Sequence, residues 1–312
     1  MMPSSLLRLA LLGGIWGMSF IFLRIAAPVF GPLLTTSARV ASGAALLLLL
    51  VRVAGVPLQW RGRLKFHLVV GLSNTALPFF LFSWAAVRTP SAYLATINAM
   101  APLFAAGFAR LLTGERLSIQ RLTGFAIGMS GVAVLVGLGP ARPEPRLLAG
   151  VAAGLGAAAC YGFAAVHVRR FGAGLAPLAV AGGSLLAASL MLAPLAIAAL
   201  AFQPLPATTL PIAALWTPGL AVLLLGILCT GLAYAVYFRL VADEGVTRAV
   251  TVTFLVPLAA TGWGVLLLHE HVTGATLAGI LLVLTGTALS LGLLPAARLF
   301  LALERRPAPK NP

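Results

Sequence analysis

Acidic side chains are nearly missing: six Asp and Glu stand against 21 Lys and Arg in 312 residues, and charged residues of both signs make up only 9% of the chain. A surface so poor in charge is not one that water solvates, which excludes an ordinary soluble domain. The six acids, Glu115, Glu144, Asp243, Glu244, Glu270 and Glu304, fall between apolar runs or in the tail, so no acid–base cluster is in view. Two cysteines, Cys160 and Cys229, lie inside apolar runs and give neither a disulfide framework nor a metal site. His269-Glu270-His271 is a poor chelate, because alternate residues on a turn diverge and no fourth ligand follows. A Gly-x-x-x-x-Gly-Lys string is absent, as are Gly-x-Ser-x-Gly and His-Glu-x-x-His, so the sequence shows no ATP cradle, no nucleophile elbow and no need of a cofactor.

What is there is apolar: 61% of the residues. Runs of about 20 apolar residues, the length that crosses the hydrocarbon of a bilayer, recur along the chain. Their cores are 6–26, 33–54, 64–85, 91–112, 120–138, 147–168, 175–199, 212–237, 246–268 and 274–294. The first is read as a retained helix, since no small-residue cleavage site stands out and nine runs follow. The net charge of +15 is scattered through short loops, which argues against nucleic acid and for membrane topology. Placed on alternate sides, Arg24, Arg88, Arg142 and Arg146 share one side, Arg39 falls inside a run, and the remaining cations share the other. By the positive-inside rule both termini are then cytoplasmic.

The chain is also internally duplicated. At an offset of 155 residues Thr96, Pro102, Glu115, Gly124 and Gly131 meet Thr251, Pro257, Glu270, Gly279 and Gly286, and at 145 Trp16, Gly17 and Arg24 meet Tyr161, Gly162 and Arg169. Each unit has five runs, an odd number, so the second enters the membrane from the opposite face. The expected fold is an all-α membrane protein, ten transmembrane helices as two inverted five-helix repeats, over 1–140 and 146–295, with a cytoplasmic tail at 296–312. Inverted repeats give two nearly equivalent conformations, one open to each side, with a site near the midplane where the repeats meet, the organisation of an alternating-access transporter.

Candidate site residues follow from what lipid penalises. Arg39 is an intramembrane cation, either a substrate ligand or a side chain snorkelling to the near end of its helix. Asn74, Asn98 and Thr230 must face the interior, as ligands or as interhelical glue. Trp16, Phe20, Phe79, Tyr161 and Tyr234 pair across the repeats in part, Trp16 with Tyr161 and Phe79 with Tyr234, and fit a shared cavity or an interfacial belt. Pro78, Pro102 and Pro257 interrupt helices as hinges or fixed kinks. Glu115 and Glu270 precede Ser118 and Thr273, plausible N-caps, so a capping role leads and gating or proton coupling is the alternative.

Three strings carry a likeness: Gly13-Gly14-Ile15-Trp16-Gly17-Met18-Ser19-Phe20, Ser-Ala-Arg-Val-Ala-Ser-Gly around Arg39, and Pro102 followed by Gly114-Glu115-Arg116-Leu117-Ser118. With the span count they resemble the EamA-like branch of the drug/metabolite transporter superfamily. The resemblance implies a ten-helix exporter of amino acids, other metabolites or toxic organic compounds in a bacterial inner membrane, its best-described relatives including aromatic amino acid exporters. Related four-helix antiporters keep a carboxylate in their first helix; this chain has none there. A carrier of phosphorylated sugars or sugar-nucleotides is the runner-up, though it should show several cations deep in spans, and a lipid-processing enzyme is a remote third. The partners expected are a small-molecule substrate and the bilayer; the oligomeric state stays open, a monomer included.

Overall fold

The computed structural model describes residues 3–115, 117–202 and 210–294; the expected tail lies outside them. Every regular element among the described residues is helical. Helix α1 (Pro3–Val53) has 51 residues, too long for one crossing of about 20. It breaks at Gly31, whose φ of 74° and ψ of 156° no helix accommodates, between Pro28 and Pro32. Its two ends return to one face: Arg8 donates to Asp243 there, and Val51 packs on Gly182. These two limbs are the first two spans.

The third span joins α2 (Trp60–Gly71), a π-helical turn (Leu72–Ala76) and α3 (Leu77–Ala86). The fourth is split into α4 (Ser91–Asn98) and α5 (Ala101–Thr113), and the fifth is α6 (Ile119–Leu138). The second half follows the same plan: α7 (Pro145–Phe171) and α8 (Pro177–Phe202) are the sixth and seventh spans. The eighth runs through α9 (Ile212–Gly226), a second π-helical turn (Ile227–Leu232) and α10 (Ala233–Glu244). The ninth is split into α11 (Val246–Ala249) and α12 (Val252–Leu268), and α13 (Gly274–Ser290) is the tenth. The protein is thus an all-α membrane protein of ten spans in two inverted five-helix repeats.

The irregularities recur with the repeat. Both π-helical turns begin at the same offset of 155 residues, at Leu72 and Ile227. In the first, Pro78 supplies no N–H for the Asn74 carbonyl, and the widened turn removes the clash its ring would make. The second has Ala233 there, and Thr230 Oγ1 instead donates to the Leu225 carbonyl at 2.8 Å, five residues back. The split of the fourth span falls at Ala99 and Met100, just ahead of Pro102, and Thr287 of α13 donates to the Ala99 carbonyl across the break at 3.0 Å. The ninth span breaks at Val250 and Thr251, several residues before its own Pro257, which lies inside α12.

Close approaches at glycine join opposite repeats. A methyl group added at Gly17 would lie 2.7 Å from Ala259 Cβ, and one at Gly162 would lie 2.6 Å from the Ala105 amide, so the first span seats on the ninth as the sixth seats on the fourth. Gly71 meets the Ser184 carbonyl and Gly226 the Arg39 carbonyl, which docks the third span on the seventh and the eighth on the second. Gly124 faces Gly286, and Gly131 faces Gly279, closing α6 against α13. Small residues admit such backbone proximity, and in lipid the van der Waals contact it brings is a main source of helix association.

Candidate functional site

Arg39 leads seven residues of helix past the Pro32 kink and does not snorkel: it is 6% exposed and turned into the bundle. Its Nε donates to Thr230 Oγ1 in the second π-helical turn at 3.1 Å, a bond between repeats. Its guanidinium carbon stands 3.7 Å from the centroid of the Phe79 ring, on the helix that follows the first π-helical turn. The titratable groups close enough to feel its charge are Tyr161, Tyr234 and Cys229, all neutral when protonated, and among the described residues no carboxylate pairs with it. Of five guanidinium donors, only the one on Nε has a hydrogen-bond partner among the described residues. The terminal nitrogens therefore keep the flat two-pronged edge that matches a carboxylate.

Aromatic rings surround this charge. Phe20 meets Phe82 edge-on at 5.5 Å, Phe82 stacks with Tyr161 at 6.1 Å, and Trp16 packs on the same cluster. Trp16 also touches Tyr237 at 5.6 Å, and Tyr237 and Tyr234 both contact Phe238. Asn74 lies close to the Tyr234 hydroxyl, bringing the first π-helical turn to the helix after the second. The structure thus assembles Trp16, Phe20, Arg39, Asn74, Phe79, Tyr161, Thr230 and Tyr234 around the point where the first, second, third, sixth and eighth spans meet.

Asn98 stands apart. It ends α4 at the break of the fourth span, half-buried, and among the described residues no hydrogen bond or ring contact joins it to Arg39. Pro78 and Pro102 open the helical segments beyond the irregular turns, whereas Pro257 is enclosed in α12, where Thr261 donates to its carbonyl at 2.8 Å.

The two glutamates are engaged otherwise than by capping the helices they precede. Ser118 and Thr273 side chains accept from the Arg121 and Thr276 amides, each at 3.3 Å, and so cap α6 and α13 themselves. Glu270 reaches across to the other repeat, where it accepts from the Ser91 amide at 3.0 Å and the Ser91 hydroxyl at 2.7 Å, with Arg24 Nε at 3.5 Å. Glu115 accepts from Arg169 at 2.6 Å, with Arg121 at 3.6 Å. Sequence reasoning missed both cross-repeat pairs, although Glu115 matches Glu270 and Arg24 matches Arg169; opposite charge at equivalent positions of two repeats was the available signal.

Comparison with known proteins agrees with this architecture. The chain is similar to an uncharacterized transporter of Bacillus subtilis (strain 168), YvbV, being 25% identical to it over 285 residues that span 91% of this chain and 90% of the relative. It also resembles, at a TM-score of 0.63 and 23% identity, a solved structure described as the crystal structure of a protein, with 97% of this chain and all of that one covered; at that identity the likeness speaks to fold. The profile of the EamA-like transporter family matches residues 4–137 and again 148–292, one match in each half. With both halves matched, this chain belongs to the EamA-like transporter family.

Proposed function

We propose that the protein exports small amphipathic metabolites bearing a carboxylate, amino acids foremost, by alternating access. One observation carries this reading: a buried arginine, supported by Thr230 and Phe79, with its carboxylate-matching edge unpaired where the two repeats meet. A charge held within a membrane costs about 2.5–3.5 kcal/mol on insertion scales, so an unneutralised one is retained for a task. A substrate carboxylate supplies the missing counter-charge, and the rings of Trp16, Phe20, Tyr161 and Tyr234 pack against its apolar part. Asn74 and the tyrosine hydroxyls serve an amino group or hydroxyl. The orientation proposed is that of a bacterial inner membrane with both termini in the cytoplasm, as the distribution of arginine favours.

Counterflow in proteoliposomes tests the reading. Vesicles loaded with phenylalanine, threonine, a phosphorylated sugar or an organic cation are scored for uptake of the labelled compound, for wild type and for a Trp16→Ala/Tyr161→Ala variant. Saturable exchange of amino acids that the variant loses supports the proposal; exchange confined to the phosphorylated sugar or the cation overturns the substrate class.

A further inference from the structure

The two pairs of opposite charge occupy equivalent positions of the inverted repeats, and so lie at opposite faces of the membrane. Arg24 and Glu270 stand at the face away from the N-terminus, Arg169 and Glu115 at the face that bears it. In each pair the arginine lies in the far part of the opening helix of one repeat, and the carboxylate follows the split helix of the other. Each therefore ties across the boundary that must part for the Arg39 site to open on that side. We propose that Glu270 and Glu115 are the latches of the two gates, each closed by the arginine of the opposite repeat.

Their settings differ in a way that predicts which gate yields first. The Glu270 side chain is 11% exposed and holds the first turn of α4 through both the amide and the hydroxyl of Ser91, while Arg24 also donates to the Thr89 carbonyl at 3.0 Å. The Glu115 side chain is 39% exposed and Arg169 more so, and an ion pair in water contributes little. With both pairs formed, Arg39 is shut from either side, and the weaker Glu115 latch releases toward the N-terminal face.

The inference rests on the alternating-access reading but is tested without a substrate, so its failure is separable from failure to find a cargo. Asn74→Cys, in a chain with Cys160→Ser and Cys229→Ser, places one thiol beside Tyr234 in the midplane. Its reaction with a membrane-impermeant methanethiosulfonate is followed in right-side-out and inverted vesicles, the face being set by protease access to an N-terminal tag. Glu270→Gln should speed labelling from the face away from the N-terminus, roughly ten- to hundredfold if a charged hydrogen bond is lost. Glu115→Gln should speed it from the N-terminal face by less. Arg24→Gln, which spares the Ser91 cap, and Arg169→Gln should reproduce the sidedness should the first pair fold poorly. Labelling that changes equally on both faces, or on neither, overturns the proposal.

Discussion

Replacing Arg39 by methionine separates a cation kept for substrate from one kept as a strut. The change removes a hydrogen bond from a charged donor, worth about 1.5–3 kcal/mol, and a desolvated cation–π contact of about 2 kcal/mol. It also relieves about 2.5–3.5 kcal/mol of membrane desolvation. Thr230 keeps its bond to the Leu225 carbonyl, so no new donor is orphaned. These terms largely offset one another, and the folded protein should be unchanged or destabilised by up to about 2.5 kcal/mol. Transport behaves differently: a carboxylate that loses its charged partner forfeits about 1.5–3 kcal/mol, a rise in KM of roughly ten- to hundredfold. Thermal melting in detergent and the concentration dependence of uptake report the two quantities on the same preparation. A melting temperature that collapses while KM for carboxylate substrates stays put would refute the assignment of Arg39 to substrate.

Five further substitutions probe the pseudo-symmetric frame by thermal melting. Thr75 and Thr230 are equivalent in the two π-helical turns, but Thr75 Oγ1 is buried with no hydrogen-bond partner among the described residues; Thr75→Val should be neutral or stabilising, and Thr230→Val should cost about 1.5–3 kcal/mol. A larger loss for Thr75→Val would mean that its hydroxyl is bonded in solution. Gly17→Ala drives a methyl against Ala259 and Ala260, costing about 1–3 kcal/mol by overpacking, whereas Gly14→Ala meets nothing within 4 Å and should gain up to about 1 kcal/mol of helix propensity. Gly286→Leu should be the worst of the set, because even a Cβ there lies 2.4 Å from the Gly124 carbonyl; near-native melting would mean that α6 and α13 are not locked together.

The number of spans and the duplication were legible because lipid imposes a length on every apolar run and because Pro, Glu and Gly recur at fixed offsets. Irregular turns were not. Leu72–Ala76 and Ile227–Leu232 read as ordinary apolar helix, since widening depends on where a hydroxyl or proline meets the carbonyl ladder in three dimensions. The sequence named Arg39 but left two directions open for it, and only the seating of the second span on the eighth turns it inward. Asn74 and Asn98 were picked by one argument and part company in the structure, because intramembrane polarity says that a residue faces protein without saying which helices it faces. The glutamates were referred to the nearest helix ends, as local reasoning must; their partners are supplied by inversion, which places Arg24 beside Glu270 and Arg169 beside Glu115.

The glycine contacts between the halves carry a consequence for how the chain comes to exist at all. Gly17, Gly71 and Gly124 press against Ala259, Ser184 and Gly286, and each contact has its mirror elsewhere in the chain, so neither half satisfies its own small-residue faces. During synthesis the first five helices must wait in the bilayer with those faces toward lipid until the second five arrive upside down. A half-length chain inserted in one orientation only would stay unmated; one inserted in both orientations could mate with an inverted sister, leaving one linker to choose the pairing that two separate halves would have to find by collision.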